Sequence, residues 1–161
     1  MTWEGTDALR LESALGFWEL GMAQSALDEL AELSATAQYH PEVMHIRLTV
    51  LMDEHRWLEA LSEAETLCRL QPAESDGWIK VAFCLHELKR TREAKERLLS
   101  GPPALRETAI FYYNLSCYEC LLGHLQEAWL LLERAIQIDP SFKKLAESDA
   151  DLEALRSNLG D

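Results

Sequence analysis

Glycine and proline are scarce in this chain, 7 and 5 among 161 residues. That scarcity excludes collagen-like, low-complexity and linker-dominated architectures. Long hydrophobic runs are missing as well, since no more than five apolar residues stand together. A membrane-spanning helix needs about 20, so no insertion is expected. The first residues, Met1 to Asp7, lack the basic-then-apolar pattern of a secretory signal, and a cytoplasmic location is the expectation. Basic charge is short: 15 Lys and Arg face 28 Asp and Glu, for a net −13. Such a balance repels phosphate backbones and anionic lipid, which argues against nucleic acid and membrane as partners. The four cysteines, Cys68, Cys84, Cys117 and Cys120, are expected to stay thiols. HExxH, Ser/His/Asp and glycine-rich phosphate-loop patterns are all missing. No catalysis, cofactor or resident metal is therefore expected.

What the chain does have is an internal repeat. Ala26, Ala60, Ala94 and Ala128 follow one another at intervals of 34 residues, three of them preceded by glutamate. The same register places Ala14, Leu48, Ala82 and Ser116 at the eighth position and Gly21, His55, Lys89 and Gly123 at the fifteenth. It divides the chain into units 7–40, 41–74, 75–108 and 109–140. Within a unit the apolar spacing is helical, as in Tyr112, Leu115, Tyr118 and Leu122, then Leu131, Leu132, Ala135 and Ile138. Each unit reads as a helix–turn–helix hairpin, with small residues allowing close helix approach.

Trp78, Val81-Ala82, Ala94, then Tyr112 to Ser116, Gly123, Ala128, Ala135 and Asp139-Pro140 resemble the tetratricopeptide repeat. The resemblance covers 7–140. It implies an all-α, right-handed superhelical solenoid of about four repeats. Residues 141–161, with Phe142, Leu145, Leu152, Leu155 and Leu159 between acids, then read as a C-terminal capping helix. The first unit departs from the family at Arg10 and Ser13, the third ends early at Ser100-Gly-Pro-Pro103, and Glu119 stands where an aromatic is usual.

In that family, part of each first helix lines an inner groove that holds peptides. The matching residues here are Leu11, Glu12, Leu15 and Trp18; His45, Ile46, Thr49 and Met52; Ile79, Lys80, Phe83 and His86; and Tyr113, Asn114, Cys117 and Cys120. This lining is apolar, and an exposed apolar groove marks a binding surface. The expected function is a protein–protein interaction scaffold, adaptor- or chaperone-like. Its ligand would carry apolar anchors and basic flanks. The alternative is a homo-oligomer, such as a dimer, that buries the same groove. The resemblance extends to small repeat chaperones that shield secretion substrates. A carboxylate clamp for acidic chaperone tails is disfavoured, because Leu11, Leu15, Ile46 and Asp76 replace its polar residues and only Lys80 is basic.

Cys117 and Cys120 form a CxxC mid-helix, and no second pair follows that could complete a zinc site. The basic run Lys89, Arg90, Arg92, Lys95, Arg97 and Arg106 reads as a solvated face with Arg92/Glu96 and Glu93/Arg97 pairs.

Overall fold

The structure, a computed structural model, describes residues 5–158, so Leu159 lies outside the described residues. All regular elements among them are helical. The chain divides into two compact units, Met1–Leu67 and Cys68–Asp161. The first contains α1 (Gly5–Glu19), α2 (Ala23–Ala31), the single turn α3 (Ala35–Gln38) and α4 (Pro41–Asp53), followed by most of α5 (Trp57–Leu70). The second contains α6 (Ser75–Glu87), α7 (Thr91–Leu99), a 3-10 turn (Pro103–Glu107), α8 (Ala109–Leu121), α9 (Leu125–Ile138) and α10 (Ser141–Ser148). It closes with a 3-10 segment (Ala150–Asn158).

One turn recurs four times. Gly21, His55, Lys89 and Gly123 all have positive φ, at 72°, 55°, 64° and 86°. The next amide bonds back across each turn: Met22 N–H to Phe17 O at 2.8 Å, Arg56 to Leu51, Arg90 to Leu85 and His124 to Glu119, each of these three at 2.9 Å. This is a Schellman ending, which satisfies the orphaned carbonyls of the first helix and reverses the chain into the second. Just beyond each turn, Ala26, Ala60, Ala94 and Ala128 are fully buried. A β-carbon is all that fits where the second helix crosses the first. Ser116, also fully buried, adds a bond across the last pair by donating from Oγ to Ala128 O at 2.7 Å.

In the first unit, Leu11, Ala14, Leu30, Leu33, Ala37 and Val43 form the core, with Ile46 packed on it. Asp7 accepts both the Ser34 N–H and hydroxyl, at 3.0 and 2.6 Å, which ties the start of α1 to the turn before α3. Those bonds hold the Asp7 carboxyl below its usual range. Arg10 pairs with Glu29 at 3.0 Å, which explains a cation where an aromatic is usual. Arg47 on α4 grips Glu63 on α5 at 2.6 Å.

In the second unit, Gly77 lies close against α5: a β-carbon there would meet Cys68 Sγ at 3.0 Å and Cys68 N at 3.2 Å. The basic run is paired differently from the i, i+4 expectation. Arg90 bonds Glu93 at 2.6 Å, Lys95 reaches Glu119 at 2.6 Å, and the Arg97 guanidinium lies 4.6 Å from the centre of the Trp78 ring. The third hairpin's second helix is short, and Pro102 and Pro103 lead into the 3-10 turn that buries Leu105. The capping segment is two pieces rather than one helix. Asp149 is extended (φ −74°, ψ 120°), and its Oδ1 accepts the Asp151 N–H at 2.9 Å. Asp149 thus starts the last segment.

Candidate functional site

Inner-face residues of the first unit fall into two groups. Leu11 is core, whereas Leu15, Trp18, His45, Thr49 and Met52 are half-buried. Helix spacing brings Leu15 and Trp18 onto one stripe of α1, and His45, Thr49 and Met52 onto one stripe of α4. The Trp18 indole N–H donates to Asp53 Oδ2 at 3.1 Å, which fixes the ring beside a carboxylate. Thr49 Oγ1 donates to His45 O at 2.8 Å, so its hydroxyl is satisfied along the helix and its methyl is what remains to meet a ligand. Glu12 is exposed beside this stripe.

In the second unit, Ile79, Lys80 and Phe83 on α6 are also half-buried. Lys80 Nζ lies 3.6 Å from Asp76 Oδ1, an i, i+4 pair that leaves little free positive charge. The other expected groove residues are covered. His86, Tyr113, Asn114, Cys117 and Cys120 are all buried, at 8% exposure or less. Their cover is the C-terminal segment. His86 Nε2 meets Asp151 Oδ2 at 2.8 Å, and the Tyr113 hydroxyl donates to Asp149 Oδ2 at 2.6 Å. The Tyr113 and Phe142 rings pack at 4.8 Å, while Leu152 and Leu155 are sealed beneath the segment.

This cover has electrostatic consequences. Burial, reinforced by Asp149 and Asp151, pushes the Cys117 thiol far above its usual range, and burial also raises Cys120. Burial lifts Cys84 to about 11. Redox use of a CxxC pair requires a lowered thiol pKa, and here the environment acts in the opposite sense. Tyr113 is raised by burial and by its bond to Asp149. Glu119 is the exception among buried acids. Burial acts to raise it, but hydrogen bonds from Lys95 at 2.6 Å and His124 at 2.7 Å prevail and hold it low. That buried ion cluster accounts for an acid at a position usually aromatic.

Sequence reasoning missed Asp149 and Asp151 as partners of the inner face. The local pattern gives no signal for them: residues 113–120 mix apolar side chains with Asn114, Ser116 and Glu119, yet all are buried.

The fold is that of tetratricopeptide-repeat proteins. Among solved structures, the chain is similar to MamA 41-end from Desulfovibrio magneticus RS-1, with TM-score 0.77 and 16% identity over 99% of this chain and 93% of that one. A second MamA crystal structure matches with TM-score 0.75 and 14% identity, covering 96% and 86% of the two chains. TTC0263, a thermophilic TPR protein of Thermus thermophilus, matches with TM-score 0.66 and 18% identity over 95% and 80%. At these identities the likeness establishes the fold. No family model and no curated protein matches the sequence. No described helix is long and apolar enough to cross a membrane.

Proposed function

We propose that this chain is a non-catalytic adaptor in the cytoplasm that holds a peptide or partner helix on the inner faces of its hairpins, taken as units 7–40, 41–74, 75–108 and 109–140. The observation that carries this reading is the set of half-buried apolar side chains at inner-helix positions, namely Leu15, Trp18 and Met52 in the first unit and Ile79 and Phe83 in the second. Large side chains left half in water, where core positions one turn away are fully buried, are poised to gain area from a ligand. Exposed acids beside them in the first unit, Glu12 and Asp53, favour basic flanks on the ligand. No chemistry on the ligand is involved.

The test is selection from a displayed peptide library, followed by fluorescence anisotropy with the selected peptides. Apolar anchors with basic flanks are expected, and binding should fall at least about tenfold in Phe83→Asp and Trp18→Ala, an effect the size of one hot-spot residue. Binding unaffected by both, in variants with unchanged circular dichroism, would place the interface elsewhere. A second reading rests on outer leucines left in water: Leu9, Leu20 and Leu58 are 67%, 75% and 69% exposed. If these faces serve self-association, sedimentation equilibrium will show a dimer that Leu20→Ser and Leu58→Ser dissociate.

A further inference from the structure

The cluster under the C-terminal segment combines a thiol with two carboxylates. Cys117 Sγ and one carboxylate oxygen each of Asp149 and Asp151 all lie within 4.8 Å of one another. Cys117 Sγ already donates to Asp149 Oδ2 at 3.8 Å. With no separation above 4.8 Å, an ion at the centre sits at most about 2.8 Å from each donor, so a modest inward shift reaches the 2.0–2.3 Å typical of zinc bonded to oxygen and sulfur.

We infer that Cys117, Asp149 and Asp151 form a binding site for a borderline divalent cation of the zinc class. The thiolate selects against Mg2+ and Ca2+, which take all-oxygen shells. Two carboxylates stand here side by side; His86 meets Asp151 at 2.8 Å, and the Arg156 guanidinium reaches the Asp149 main-chain oxygen at 3.4 Å. A divalent cation cancels that charge. The supporting bonds that orient metal ligands are in place. Tyr113 donates to Asp149 Oδ2, and the Asp151 N–H donates to Asp149 Oδ1. His86 Nε2 lies 2.8 Å from Asp151 Oδ2, and its Nδ1 lies 3.2 Å from Thr91 Oγ1, which holds the ring in position. A second buried polar group lies beside His86. The Tyr118 hydroxyl is deeply buried and has no hydrogen-bond partner. Its ring packs 5.1 Å from His86, whose Nε2 meets Asp151.

On binding, the Cys117 S–H bond breaks, its proton passes to water, and the sulfur lone pair forms the metal bond. The cation then joins α8 to the last segment. Reading along the chain from Cys117-x-x-Cys120 stops short of this site, because the other ligands come from residues 149 and 151.

The experiment is titration of the reduced full-length chain with Co2+, then displacement by Zn2+. About one equivalent is expected, with a sulfur-to-cobalt charge-transfer band that disappears in Cys117→Ser and persists in Cys120→Ser. His86→Ala, which acts through Asp151, should weaken binding by about 10–100-fold. Because Cys117 is a core residue, the doubly substituted Asp149→Asn/Asp151→Asn chain provides an independent check and should also lose the band. The inference is overturned if the wild-type chain shows no such band at a large excess of cobalt, or if the band survives in Cys117→Ser or in the double variant.

Discussion

The Lys95 ammonium lies 2.6 Å from Glu119 Oε1, and His124 Nδ1 lies 2.7 Å from Oε2 of the same carboxylate. One buried acid thus ties α7, α8 and the turn into α9 together. Glu119→Gln removes the charge and leaves Lys95 with a neutral partner, which should cost about 1.5–3 kcal/mol at neutral pH. The Glu119 carboxyl is held below its ordinary value of 4.5 in the folded chain. Its contribution is therefore fully present above that value and is lost as pH falls through the lower folded pKa. Urea unfolding at about pH 7 and about pH 3.5 checks this: the gap between wild type and Glu119→Gln should narrow at the lower pH.

Lys89 and His55 occupy the left-handed turn position that Gly21 and Gly123 fill elsewhere. An L side chain in that region costs about 1–2 kcal/mol, and glycine loses about 0.5–1 of this through its freer unfolded chain. Lys89→Gly should raise stability by about 0.5–1 kcal/mol. Gly123→Ala, where an added β-carbon meets nothing, should lower it by about 1 kcal/mol through backbone strain alone. Denaturant midpoints of the two variants should move in opposite directions.

Gly77→Ala forces a β-carbon against Cys68, including its backbone nitrogen at 3.2 Å. Backbone cannot rotate away as a side-chain tip can, so overpacking of about 1–3 kcal/mol is expected. Thermal unfolding followed by circular dichroism reads the loss. Gly16→Ala, with nothing within 4 Å of the added carbon, is the matched control and should not destabilise.

Leu152 and Leu155 seal the inner face of α8 at 0% and 1% exposure. Replacing Leu152 by Ala should cost about 2–5 kcal/mol in a two-state unfolding measurement. It should also loosen the segment locally and speed reaction of Cys117 and Cys120 with a disulfide reagent. Cys84, outside that cover, should react at its wild-type rate.

The 34-residue period was legible because the hairpin needs a fixed device at a fixed place. Alanine is needed where two helices touch, and a left-handed residue where the chain reverses. Register alone puts Lys89 at the fifteenth position of its unit, where the backbone is left-handed. The inner face was harder. Ile79 and Phe83 keep the partial exposure expected of a groove, but His86, Tyr113 and Cys117 do not. Their covering partners, Asp149 and Asp151, lie in a segment whose fold depends on side chains far away in sequence. The pairing of Arg90 with Glu93, and of Lys95 with Glu119, was likewise set by packing, which overrode the local i, i+4 rule.

The C-terminal segment also governs how this array can be extended. A further hairpin would need the flank of α8 and α9 as its landing surface, and residues 141–158 already occupy part of it. Joining extra repeats after Ile138 therefore requires deleting those residues as well, since a fusion that retains them would have two claimants for one berth. A repeat built onto this flank would have to displace the side chains that dock there.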